Sequence, residues 1–163
     1  MRHASPARVG PDGSDFTRPL TIVGVQEALK QGAILKERTV RIDRVLCSSA
    51  ARAEETAHHF ISGFSSKPEL VVDHHLYNAP GDQIYDLVKN QPDSVTSLLL
   101  IAHMPGVAEA VYMMCTNPNI ANHPFMPATM MGLEFPISSW AEINPASAQL
   151  HSHLPPPAVS LDG

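Results

Sequence analysis

Little in this chain points to an oxidising compartment, a membrane or a nucleic-acid partner. It has only two cysteines, Cys47 and Cys115, which make no disulfide framework and no zinc spacing. The longest apolar runs, Leu98–Ala102 and Ala110–Cys115, are five and six residues, far short of the roughly 18 residues of a membrane-spanning helix. The opening residues, MRHASPARVGPDG, lack the apolar stretch of a secretory signal. Together these absences lead to the expectation of a reduced, cytoplasmic protein with no membrane partner. Positive charge is scarce beyond residue 52, where only Lys67 and Lys89 carry it. Residues 1–52 hold a net +4, the remainder a net -9, and the whole chain -5. An acidic chain of this kind is a poor nucleic-acid binder, although arginines gathered at one end can still build a local anion site.

What is present is enough for one domain. Apolar residues make up 44% of 163, which supports a real core at a length where a single domain is the default. No repeat and no long linker interrupts it. Residues 5–19 are punctuated by Pro6, Gly10, Pro11, Gly13 and Pro19 and read as irregular. Thr21 can cap a helix running to about Lys36, with Ile22, Val25 and Leu29 on one face. Asp43–Cys47 reads as a buried strand. A Ser48-Ser49 turn leads into a helix ending near Ile61. Glu69–Asp73 is a second strand, Gln83–Lys89 a short helix and Ser97–Ala102 a third, strongly apolar strand. Pro105 stands where a first helical residue would, ahead of Val107, Val111 and Met114. Residues 129–135 and 139–144 are expected as two more strands around Pro136. The domain is expected over 1–150, with 151–163 a Pro-rich, flexible tail.

Strands alternating with helices imply a single α/β domain in three layers, α/β/α, with a mostly parallel sheet covered on both faces. Sites in such sheets form beyond the carboxyl ends of the strands. That rule selects Ser48–Arg52 and His103–Gly106, both of which follow strands and contain groups able to hold an anion. Two further stretches join them: Arg2-His3 at the start, and Arg18 just before the first helix. Each is weak alone, since a histidine at a strand end is commonly a hydrogen-bonded structural residue and arginines at helix starts are commonly solvated.

Taken in order, the stretches MRHASP, TRPLTIVGVQEA, VLCSSAARAEETA, LYNAP, LLLIAHMPGVAE and MPATMMGLEFPISSWAEI resemble the histidine phosphatase superfamily, whose fold is phosphoglycerate-mutase-like. The resemblance spans about residues 1–143 and is nearest to the small SixA-like phosphohistidine phosphatases. It implies that His3 is the nucleophile, forming a covalent phosphohistidine. It implies that Arg2 and Arg52 grip phosphoryl oxygens, that His103 donates to another, and that Arg18 is a further phosphate contact. No metal or cofactor is implied, because phosphoryl transfer needs mainly positioning and charge neutralisation. The implied partners are a phosphorylated protein, such as a phosphorelay-type domain, or a small phosphorylated molecule. Larger family members add a carboxylate that protonates a leaving alkoxide. Glu54, Glu55 and Asp82 are poor matches, which favours a phosphoramidate over an ordinary phosphomonoester because imidazole leaves more readily.

The chain departs from the family pattern in four places. Ala50 stands for proline, Ala102 for glycine and Met104 for asparagine. The apolar strand that runs into Arg-His at the middle of the family sheet has no counterpart before Met1. A groove is therefore expected where that strand belongs, between Asp43–Cys47 and Ser97–Ala102. Competing readings are a small-phosphomonoester phosphatase or a catalytically inactive phosphate-binding member. A cysteine phosphatase is disfavoured, because Cys47 and Arg52 are separated by four residues rather than five and the loop has no glycine. The adjacent pairs His58-His59 and His74-His75 point to different faces and make poor metal sites.

Overall fold

The structure is a computed structural model and describes residues 1–117, 120 and 123–160. Its elements run α1 (Ile22–Glu37), β1 (Arg44–Ser48), α2 (Ala51–Ile61), β2 (Glu69–Asp73), α3 (Gly81–Lys89), β3 (Leu98–Ile101), α4 (Gly106–Met114), β4 (Met130–Glu134) and β5 (Gln149–Leu154). β1 lies between β2 and β3 in a parallel sheet, with Leu46 opposite Val71 on one side and Leu100 on the other. Side chains alternate across this sheet. Val45, Cys47, Leu99 and Ile101 pack with Phe60 and Ala57 of α2 and Ala28 of α1, while Leu46 packs with Ile84, Val88, Val107 and Val111 of α3 and α4. The period of two in these strands thus feeds two cores, one per face, and gives the three layers.

Local chemistry sets the helix starts. Thr21 caps α1 by accepting the Gly24 N–H on its hydroxyl. Gly24 is needed for a close approach, since a Cβ there would strike the Ser5 carbonyl. Ser5 is pinned twice more, by its N–H and its hydroxyl donating to buried Glu27. The chain just past His3 is therefore fixed against α1.

The N-terminal residues correct one expectation. Residues 1–3 lie beside β3, not between β1 and β3, which pair directly with each other. The Ala102 N–H donates to the Met1 carbonyl and the His3 N–H to the Ala102 carbonyl. On the other side the Arg2 N–H donates to Thr129 and the Ala128 N–H to His3. These residues link β3 to the segment that leads into the antiparallel β4–β5 pair. Beyond Met1, the space between β3 and β4 is an apolar groove of about 640 Å³, lined by Leu35, Val40, Leu99, Met130 and Leu133.

Two other expectations change near the C-terminus. Residues 139–144 are not a strand. Ser139 and Glu142 form a capping box around a 3-10 turn at Trp140–Glu142, a helix-start signal that overrides the apolar pattern. The partner of β4 is instead β5, so residues 151–154 are strand rather than tail. The alternation QLHSHL explains it, placing Leu150 opposite Leu133 and Leu154 opposite Met130. Gln31 and Lys30 then donate to the carbonyls of Pro155 and Ala158. Residues 161–163 of the expected tail lie outside the described residues. Among the described residues, no helix is long and apolar enough to cross a membrane.

Candidate active site

Three chain segments reach the same end of the sheet. β1 ends at Ser48 and leads into Arg52 in the first turn of α2. β3 ends at Ile101, two residues before His103. His3 follows the Arg2–Ala102 parallel bridge, so it emerges beside His103. The structure brings together Arg2, His3, Arg52 and His103, with the two imidazole centroids 5.2 Å apart. His3, Arg52 and His103 are at most 5% exposed.

The hydrogen bonds assign the His3 tautomer. Its Nδ1 lies 2.8 Å from the Ala4 carbonyl, which can only accept, so Nδ1 carries the proton. Arg52 Nε donates to His3 Nε2 at 3.2 Å, so that nitrogen is proton-free and its one lone pair accepts this hydrogen bond. Burial, reinforced by His103 and the neighbouring arginines, holds the His3 ring well below the usual histidine range, at about 3. The Ala4 N–H donates to the Thr56 hydroxyl, which donates to the Arg52 carbonyl, so one threonine couples the His3 segment to α2.

Several donors around this nitrogen are unused. An arginine has five N–H groups. Arg52 spends Nε on His3, Nη1 on the Asp15 carbonyl and Nη2 on Asp15 Oδ2, which leaves one N–H on each terminal nitrogen. Arg2 donates through Nη1 to the Phe125 carbonyl at 2.8 Å, while its buried Nε has no partner among the described residues. Buried His103 Nδ1 likewise has no partner among the described residues. A buried polar atom without a partner is costly. The unpartnered buried nitrogens of Arg2 and His103, with the spare Arg52 N–H groups beside the His3 ring, fit a site for an anion.

Arg18 sits at the rim rather than in the centre. Its Nε donates to the Ala7 carbonyl at 2.6 Å and its Nη1 to Asp15 Oδ1 at 2.7 Å. Asp15 is the residue that sequence reasoning missed. It also accepts from Arg52 Nη2 and the Tyr77 hydroxyl. Arg18, with help from Tyr77 and Arg52, holds the Asp15 carboxyl below its usual range at about 2, so it is ionised at neutral pH and carries no proton to give. Three arginines, one aspartate and two neutral histidines leave the site at a net +2, which suits a phosphoryl dianion. The only sequence signal for Asp15 was its place three residues before Arg18.

The other candidates fall outside the site. Cys47 is fully buried and packs with the α1 and α2 side of the sheet. Burial, with a smaller contribution from Glu54, pushes its thiol up to about 12, so no thiolate is available. Glu55 is engaged by the Leu20 N–H. Among the described residues, no group of three or more His, Cys, Asp and Glu side chains is placed to hold a metal ion.

The histidine shifts make a prediction about stability. Burial holds His103 at about 4, as it holds His3 at about 3. In the unfolded chain both rings take a proton near the ordinary value of about 6.5. Between these limits the unfolded state binds more protons, so stability is full above about 6.5 and falls as the pH drops towards 4. The urea midpoint is expected to decline from pH 7 to 5, less steeply in a His3→Gln, His103→Gln double variant. A ring-nitrogen titration of His3 near 6.5 in the folded protein would contradict this.

No protein-family model matches the chain. It is 30% identical over 142 residues to a protein of Haemophilus influenzae named phosphohistidine phosphatase SixA homolog, covering 82% of this chain and 84% of that one. It is 30% identical over 166 residues to an uncharacterised protein of Mycobacterium tuberculosis, covering 95% and 99% respectively. A solved structure bearing the name of phosphohistidine phosphatase SixA, from Nakamurella multipartitia, superposes with a TM-score of 0.82 at 25% identity, over 97% of this chain and 94% of that one.

Proposed function

The chain belongs to the histidine phosphatase superfamily, in its SixA-like branch, and on that premise we propose that it hydrolyses phosphohistidine without a metal, through a covalent intermediate on His3. The observation that carries this reading is the proton-free His3 Nε2 held by Arg52, with the His103 ring 5.2 Å away and buried, unpartnered nitrogens on Arg2 and His103.

In the first step the Nε2 lone pair attacks phosphorus as the bond from phosphorus to the leaving nitrogen breaks. A phosphoimidazole already carrying a proton on its other nitrogen departs as neutral imidazole and needs no acid. Asp15 is ionised and tied to Arg18, which fits a reaction without one. Arg2, Arg52 and His103 hold the phosphoryl oxygens and stabilise the charge that spreads over them in the transition state. His3 is oriented by Ala4, so little reorganisation accompanies the attack. In the second step water attacks phosphorus, the bond to His3 breaks, and phosphate leaves. The substrate is a phosphorylated protein of the phosphorelay type or the free phosphoamino acid.

Rates on a phosphoramidate and on an aryl phosphate, each with chelator present, test this reading. The expected result is a clear preference for the phosphoramidate and no loss in chelator. A preference for the ester would support a small-phosphomonoester phosphatase instead, and loss in chelator would overturn the metal-free route.

A further inference from the structure

Ser48 has no part in the reaction just described, yet it ends β1 wholly buried against the His103 ring. We propose that Ser48 is a positioning residue that fixes the tautomer of His103, so that its Nδ1–H faces the phosphoryl group as a donor. This rests on the phosphatase reading for its consequence in turnover, but not for its geometry.

The Ser48 Oγ lies 2.7 Å from His103 Nε2. The same oxygen accepts the Ala50 N–H at 3.3 Å, from the turn that leads into α2. A serine hydroxyl has one proton to give. If that proton goes to His103 Nε2, the ring must carry its own proton on Nδ1. The reverse arrangement, with Nε2–H donating to Ser48, leaves the hydroxyl proton without an acceptor among the described residues. It also turns a bare lone pair of Nδ1 towards a site that takes an anion. The first arrangement gives the hydroxyl proton an acceptor and leaves the buried Nδ1, which has no partner among the described residues, as a donor.

Tautomer control matters here because His103 is neutral, held at about 4 by burial and by Arg52 and Arg2 against the pull of Asp15. A doubly protonated ring donates from either nitrogen, whereas a neutral ring donates from one. His103 stands 3% exposed, close to the His3 ring on one side and the Tyr77 ring, 5.6 Å away, on another, so bulk water has little access to set the tautomer. The two histidines are thereby given matching protonation by different partners. Ala4 places the His3 proton on Nδ1 to free Nε2 for attack, and Ser48 places the His103 proton on Nδ1 to free it for donation.

The test uses protein labelled with nitrogen-15 in its histidines. Two-bond nitrogen–proton correlation spectra distinguish the ring tautomers, and His103→Gln identifies the His103 signals. In the wild-type protein His103 is expected as the Nδ1–H form. In Ser48→Ala it should shift to the Nε2–H form or to a mixture. Turnover of a phosphoramidate by Ser48→Ala should fall about tenfold in kcat, as for one weakened hydrogen bond to developing charge, with KM within about threefold. Ser48→Cys, whose thiol is a weaker donor of similar size, should fall between the two in both readings. A wild-type His103 in the Nε2–H form, or a Ser48→Ala protein with unchanged tautomer and kcat, overturns the proposal. Because the spectrum needs no substrate, an enzyme inactive on phosphoramidates but showing the Nδ1–H form contradicts the proposed reaction and leaves the assignment of Ser48 standing.

Discussion

His3→Ala is expected to lower phosphoramidate turnover by roughly 10⁴-fold or more, the scale on which loss of a covalent nucleophile is usually felt. The reason is geometric. Nδ1 is committed to the Ala4 carbonyl, and Nε2 is the ring atom left with a lone pair beside the unused donors. Because burial holds the ring at about 3, nearly all of the protein carries the reactive form at neutral pH. Alanine should leave the fold intact, since the backbone bonds of residue 3 to Ala102 and Ala128 do not involve the ring. Cys47→Ser should stay close to wild type, because that thiol is buried away from the site and held up to about 12. Steady-state assays of the two variants side by side check this. A large loss in Cys47→Ser with activity retained in His3→Ala would reverse the assignment.

Arg52→Ala should cost about 10²–10³ in kcat, the range seen when a preorganised transition-state donor is removed. In the proposed reaction Arg52 does more than contact phosphate. Its Nε donates to His3 and two other N–H groups bind Asp15, so the guanidinium is locked in place with two donors to spare. Lysine carries the charge but cannot reproduce that fork, so Arg52→Lys should recover little. Arg2→Ala and His103→Ala should each lose about a hundredfold. Arg18→Ala should lose less, because its contacts are with Ala7 and Asp15 at the rim. Full kinetics on all five variants test the order, and wild-type turnover in Arg52→Ala would overturn the pocket.

The parts of this molecule legible in the sequence are those governed by short-range periodicity. Thr21 as a cap, the apolar runs of β1 and β3, and the placement of Arg52 and His103 after strands all follow from local pattern and one rule about strand ends. What was hidden depends on contacts between distant residues. Asp15 gains its role only when the irregular segment 5–19 folds over Arg52 and Tyr77. Ser48 gains its role only because β1 and β3 are neighbours, 55 residues apart in sequence at the Ser48–His103 contact. The misplaced fifth strand has a similar cause. Residues 139–144 are apolar enough to look extended, but the Ser139–Glu142 capping box is a stronger local signal, and the pairing of β4 is settled by the later alternation in Gln149–Leu154. The N-terminal residues find their neighbours by tertiary pairing with Ala102 and with residues 128–129, which no local pattern around Met1 announces.

The claim on which the account rests is that phosphate passes through His3. Mixing the protein with a phosphoramidate labelled on phosphorus, quenching in base within the first turnover and mapping the labelled peptide tests it directly. A base-stable, acid-labile phosphoryl group on Nε2 of His3, absent from His3→Ala, is the expected result. Label on any other residue, or turnover that proceeds with no labelled protein at all, would contradict it.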